Sequence, residues 1–122
     1  MGLGFSSHYF HHRIESWVKS MDHAELATCA ITELGFVRIL AQLPNHEITV
    51  ESALEMLALL KSTSRASFNF FADDVGVDRL PKWVKHPKQT TDGHLTALAK
   101  AHGAALATLD GKIPGAFVIP NP

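Results

Sequence analysis

Three carboxylates, Glu33, Asp92 and Asp110, are the side chains of this sequence best placed to do chemistry together. Carboxylates gathered at one edge of a fold repel each other and raise each other's pKa unless a cation is present. Hard oxygen donors with no thiolate beside them favour magnesium or manganese. Such an ion lowers the pKa of a bound water and stabilises charge on a phosphate during in-line attack. The formal charge of the chain is −1, so no global basic field draws in a nucleic acid. A local patch or a metal has to supply the positive charge instead. Each acid also has a plain alternative. An acid in the first turn of a helix serves the helix dipole, worth ~0.3–1 kcal/mol, and an Asp-Gly after a strand serves as a turn.

Other residues invite weaker readings. His8, His11 and His12 could share a helix face, but no cysteine or carboxylate follows at a suitable step, so a loop-packing or solvated role is expected. Arg38, five residues after Glu33, could contact a phosphate, and a structural ion pair is the better expectation. Lys82, Trp83, Lys85, His86 and Lys88 make a small basic stretch with an aromatic, open to an RNA backbone or simply to solvent. Asp73 and Asp74 read as loop or cap residues. Cys29, the only cysteine, reads as a buried strand residue, and one thiol can neither staple a fold nor build a thiolate zinc site. It points to a reducing compartment, the cytoplasm.

The elements that must position these acids follow from the hydrophobic pattern. Ile14, Trp17, Val18 and Met21 give one helical face. Leu26 to Ala30 reads as a short buried strand, and Ile31 to Leu43 as a helix apolar on most sides, hence well buried. Thr49 caps a third helix to Lys61, with Ala53, Leu54, Leu57, Ala58 and Leu60 on its buried face. Ser67 to Phe71 is a short strand, and Ala72 to Gln89 is mostly loop. Thr90 or Thr91 caps a helix to His102, with Leu95, Leu98 and Ala99 as its stripe and Gly103 as a left-handed C-cap. Ala104 to Leu109 is a strand ending at Asp110-Gly111, and Ala116 to Ile119 is the last strand. With 122 residues, 46% of them apolar, one domain spanning 1–122 is expected. Its class is α/β with a mostly parallel sheet.

In an open parallel sheet, ligands bind beyond the carboxyl ends of the strands. Asp110 ends its strand. Asp92 opens the preceding helix, whose ~16 Å length (1.5 Å per residue) matches the ~16 Å of the strand it feeds (3.3 Å per residue). Both acids are therefore expected at one edge. Glu33, in the first turn of the helix after the strand ending near Cys29, is expected there too.

Ala27-Thr-Cys-Ala-Ile-Thr-Glu-Leu-Gly-Phe-Val-Arg-Ile-Leu resembles the second strand and helix of PIN-domain ribonucleases of the VapC toxin type. Thr91-Asp-Gly-His-Leu-Thr-Ala-Leu-Ala, followed by His102-Gly-Ala and Ala107-Thr-Leu-Asp, resembles that family's last two acidic motifs, and Phe71-Ala-Asp-Asp the segment before them. The similarity runs from about His8 to Ile119. It implies a three-layer PIN-like α/β domain with a mostly parallel central sheet. It also implies a metal-dependent endoribonuclease using Mg2+ or Mn2+, the toxin of a toxin–antitoxin pair, with a cognate antitoxin, an RNA substrate and a homodimer. Glu33, Asp92 and Asp110 take the metal-binding and catalytic roles, and Thr108 matches the small hydroxyl residue that precedes the last acid. The family's opening strand, central in the sheet and bearing its first aspartate, has no counterpart here. No acidic residue precedes Glu15. The chain is thus expected to lack one ligand and the middle of the sheet, with impaired activity, poor solubility or swapped association.

Two rivals stand beside the nuclease. One is a non-catalytic PIN-like remnant that holds an antitoxin or RNA. The other is a phosphoryl-receiver domain, for which Lys112 is available but the early acidic pair is absent. No apolar run approaches the ~20 residues needed to cross a bilayer, and the start has no signal-peptide pattern.

Overall fold

A computed structural model describes residues 7–21, 25–42, 48–63 and 66–120. The chain divides into two compact units, Met1–Ala72 with Pro120–Pro122, and Asp73–Ile119.

The first unit is three helices and a parallel strand pair. α1 (Ser7–Ser20) buries Val18 fully, with Ile14, Trp17 and Met21 half-buried along the expected face. Arg13 is also buried, its Nε donating to the Pro120 carbonyl at 3.3 Å, a tie no sequence pattern announces. β1 (Glu25–Thr28) pairs in parallel with β2 (Ser67–Phe70), Leu26 opposite Phe68 and Thr28 opposite Phe70. Burial in β1 alternates, Leu26 and Thr28 half-buried and Glu25 and Ala27 exposed. The expected buried strand is thus half-buried on one face and exposed on the other, because side chains two apart share a face.

α2 (Ala30–Ala41) packs against both α1 and α3 (Val50–Thr63). Its buried residues are Gly35, Phe36, Ile39 and Leu40, whereas Leu34 is 65% exposed, so this apolar helix is covered on one side only. Thr49 caps α3, its Oγ accepting the Ser52 N–H at 3.0 Å. Ala53, Leu57 and Leu60, at i, i+4 and i+7, are the buried stripe of α3, while Leu54 and Ala58 face outward. His11 packs its ring edge-on to Phe36 and lies 3.8 Å from Glu15, which makes it a packing residue of the α1–α2 contact.

The second unit holds short 3-10 turns at Val77–Arg79 and Pro87–Gln89, then α4 (Thr90–Ala101). β3 (Ala107–Thr108) and β4 (Phe117–Val118) pair in parallel. Backbone bonds from Phe117 to Leu106 and from Ile119 to Thr108, both 2.8 Å, complete this ladder. The helix cap is Gln89 rather than Thr90 or Thr91. At the other end Gly103 has φ +70°, and its N–H and that of Ala104 reach back to the carbonyls of Lys100 and Ala99 at 3.1 and 2.8 Å. That pair of bonds is a Schellman motif, which satisfies carbonyls the helix leaves open. Leu98 is the buried centre of the stripe expected on α4, with Leu95 and Ala99 half-buried.

The fold class is therefore mixed α/β with parallel pairing, as the alternation of elements implies. Among the described residues the pairing is divided between two two-stranded sheets, one in each unit.

Candidate functional site

Asp92 and Asp110 are brought within electrostatic reach of each other inside the second unit. Asp92 sits in the first turn of α4. Burial pushes its carboxyl pKa up, and the negative charge of Asp110 pushes it further the same way. Asp110 stands two residues after the end of β3 and is held from both sides. Its N–H donates to the Thr108 Oγ at 3.0 Å, and its Oδ1 accepts the Lys112 N–H at 2.9 Å. Thr108 thus fixes the backbone from which the Asp110 carboxylate projects, and the Asp-Gly turn reading is satisfied at the same time.

Gly93 explains how Asp92 is placed. A Cβ at this buried glycine would lie 2.3 Å from Val84 Cγ2 and 3.4 Å from Leu80 Cδ2 and Pro81 Cδ. The loop before α4 therefore packs against the helix backbone beside Asp92, at a distance only glycine permits.

Glu33 belongs to the first unit, in the first turn of α2. Its Oε2 accepts from the Thr28 hydroxyl and from the Lys61 ammonium, the latter reaching across from the last turn of α3. Burial raises the Glu33 pKa, but the Lys61 hydrogen bond, the Thr28 hydrogen bond and the Lys61 charge together outweigh it, and the net shift is downward. Arg38 stands exposed on α2 and makes no ion pair with a described carboxylate. Cys29 is buried, as expected, but serves as the N-cap residue of α2, its N–H donating to Thr32 Oγ at 2.9 Å.

Two contacts in the second unit escaped sequence reasoning. His94 Nε2 lies 2.7 Å from Asp73 Oδ1, and His102 Nε2 lies 3.2 Å from Asp74 Oδ1. Adjacent aspartates of one segment thereby clasp α4 near its middle and at its end. The pairs are 21 and 28 residues apart in the chain, so no local spacing rule detects them.

Within either unit, no group of three or more His, Cys, Asp or Glu side chains is gathered closely enough among the described residues to hold a metal. The donor set at Asp92 and Asp110 nevertheless suits a hard divalent cation. It is all oxygen, and a cation would relieve the Asp110 repulsion that adds to burial in raising the Asp92 pKa.

The chain is 35% identical over 118 residues to ribonuclease VapC38 of Mycobacterium tuberculosis, covering 93% of this chain and 81% of that protein. It is 31% identical over 119 residues to ribonuclease VapC39 of the same organism, covering 93% and 84%. The chain belongs to the VapC ribonuclease family. A further member, ribonuclease VapC44 of M. tuberculosis, is 34% identical over 114 residues, covering 87% of this chain and 77% of its own. No family model matches the chain, and no solved structure matches it. Membership in the VapC family agrees with the α/β class and parallel pairing described above. Among the described residues no helix is long and apolar enough to cross a membrane.

Proposed function

We propose that this chain is a metal-dependent endoribonuclease, the toxin of a toxin–antitoxin pair, acting on RNA in the cytoplasm and held in check by a cognate antitoxin. We assign Mg2+ or Mn2+ as its cofactor and a homodimer as its working form. The ribonuclease relatives support the reaction class. The observation that carries the chemistry is the Asp92–Asp110 pair, in which burial and then the charge of Asp110 disfavour the Asp92 anion.

Asp92 and Asp110 are the carboxylates that would hold the ion. When bound there, the ion supplies a lowered water pKa and positive charge for the phosphate. The protein's own part is positional. Thr108 and the Lys112 N–H hold Asp110 in one orientation, and the glycine contact at Gly93 fixes the turn that carries Asp92. Glu33 is the third acid assigned to this chemistry, kept ionised by Lys61 and Thr28.

The test is cleavage of a mixed-sequence RNA with and without Mn2+. Asp92→Asn and Asp110→Asn are each expected to slow cleavage at least about a hundredfold, since even supporting groups of metal sites cost 10–100-fold. Equal cleavage by Asp92→Asn, or full cleavage in EDTA, would refute the metal reading. A parent protein that binds RNA but never cuts it would favour the non-catalytic remnant.

A further inference from the structure

The second unit carries a basic loop directly against the turn that bears Asp92. Residues 79–91 contain Arg79, Lys82, Lys85 and Lys88 and no Asp or Glu, in a chain whose formal net charge is −1. All four cationic side chains are exposed, as is His86, and none of the four makes a salt bridge with a described carboxylate.

The loop is built rather than slack. Val84 closes a turn onto the Pro81 carbonyl at 3.1 Å. Gln89 Oε1 gathers the N–H groups of Lys85 and His86 at 2.7 and 3.1 Å. Trp83 and Val84 are half-buried, and Val84 abuts Gly93, the residue next to Asp92. With these two half-buried and the lysines exposed, the cations are presented from a fixed backbone that packs beside Asp92 through Gly93.

We propose that this loop is the phosphate-contacting surface for single-stranded RNA, with Lys82, Lys85 and Lys88 as its contacts. The inference rests on the ribonuclease reading and names how the substrate is held. A cation needs no particular base to contact a phosphate, so the surface positions the strand beside Asp92 without selecting its sequence. A fixed loop also loses less conformational freedom on binding than a mobile one.

The test is binding of a fluorescein-labelled, mixed-sequence single-stranded RNA to the full chain in EDTA, where the metal chemistry is silent, over a series of salt concentrations. Each lysine–phosphate contact contributes a slope of about −0.7 in log affinity against log salt for a single strand. The Lys82→Gln/Lys85→Gln/Lys88→Gln variant is therefore expected to lose roughly 2 from that slope, and its affinity at low salt should drop at least about tenfold. Circular dichroism checks that it folds, and Lys100→Gln, on the far half of α4, is the single-charge control, expected to change the slope far less than the triple variant does. Unchanged slope and affinity in the triple variant would overturn the proposal. So would a parent that fails to bind RNA yet captures polyglutamate, which would assign the loop to an acidic polypeptide. If the triple variant behaves as expected but the parent never cuts RNA with Mn2+, the surface stands and the nuclease reading falls.

Discussion

Replacing Gly93 by alanine isolates the contact that sets the loop against α4. In an ordinary helix interior, Gly→Ala stabilises by about 0.8–1.0 kcal/mol. Here the added Cβ falls 2.3 Å from Val84 Cγ2. Ordinary carbon contacts lie at about 3.5–4.0 Å, so the overlap exceeds ~1 Å. Leu80 and Pro81 already stand in van der Waals contact at 3.4 Å, so the Cβ would enter an occupied neighbourhood. Valine is stiff about χ1, and moving it means moving the turn that Val84 closes onto Pro81. Overpacking of this kind costs about 1–3 kcal/mol. An overlap above ~1 Å with a stiff side chain puts the cost in the upper part of that range, so against the propensity gain Gly93→Ala should destabilise the protein by a net ~1–2 kcal/mol.

The decisive measurement is a double-mutant cycle with Val84→Ala, read by urea denaturation and far-UV circular dichroism. Removing the two valine methyls takes away the atom at 2.3 Å. In that background Gly93→Ala should change sign and stabilise by up to ~1 kcal/mol, because only helix propensity remains. The m-values should stay constant, so that midpoints report stability alone. If Gly93→Ala is neutral or stabilising in the parent, or if the sign does not reverse with Val84→Ala, the close packing of loop on helix is wrong.

Three other outcomes follow from particular residues. The folded state holds the Asp92 proton more tightly than the unfolded chain does, through burial first and Asp110 second. Asp92 should therefore make the parent lose stability as pH rises from the ordinary value of 3.8 through the raised one; Asp92→Asn, compared by urea titration across pH 4–8, should lack that loss and be the more stable at pH 7. Glu33 has the opposite sign: burial raises its pKa, but Lys61 and Thr28 lower it more, so its contribution is present above the ordinary 4.5 and lost as pH falls through the lowered value. Glu33→Gln should then be less stable than the parent at pH 7, with the gap closing in acid. Gly103→Ala should cost about 1–2 kcal/mol in thermal or urea unfolding, because φ +70° strains a side chain even with open space around it.

What could be read from the sequence was what short-range physics decides. Thr49 as a cap needs only its own side chain and an N–H three residues on, and Gly103 as a C-cap needs only the conformational freedom of glycine. Both stand where the pattern puts them. The apolar stripes of α3 and α4 were half legible. Leu57 and Leu98 are buried, but Leu54 is 53% exposed, since the pattern names an apolar residue without naming what covers it. The last two strands are shorter than their apolar runs, because a strand extends only as far as its partner, and β4 offers Phe117–Val118. The clasps of His94 on Asp73 and His102 on Asp74, and the reach of Lys61 to Glu33, were invisible. They join residues 21–28 positions apart that meet only after the elements have packed.

The three acids, alike in the sequence, part company once their surroundings are known. Glu33 and Asp92 both lie in the first turn of a helix, and burial pushes both pKa values upward as its largest single effect. Their net shifts are nevertheless opposite. For Asp92 burial already sets the direction and Asp110 adds to it, whereas for Glu33 the Lys61 and Thr28 hydrogen bonds and the Lys61 charge overturn it. Glu33 has Lys61 on its Oε2 and stays ionised, with its positive partner supplied by its own unit. Asp92 has Asp110 instead, and two negative charges face each other. Under the proposed metal chemistry, the repulsion left for a cation to relieve therefore lies at the Asp92–Asp110 pair. The same logic separates two variants. Asp110→Asn should bring the Asp92 pKa down only part of the way, since the burial contribution stays, whereas Lys61→Met should let the Glu33 pKa rise, since burial is then opposed only by the Thr28 hydrogen bond. Carboxylate pKa values followed by NMR would distinguish these directions. A fall of Asp92 to its ordinary value in Asp110→Asn would mean that repulsion, not burial, is the larger force on it.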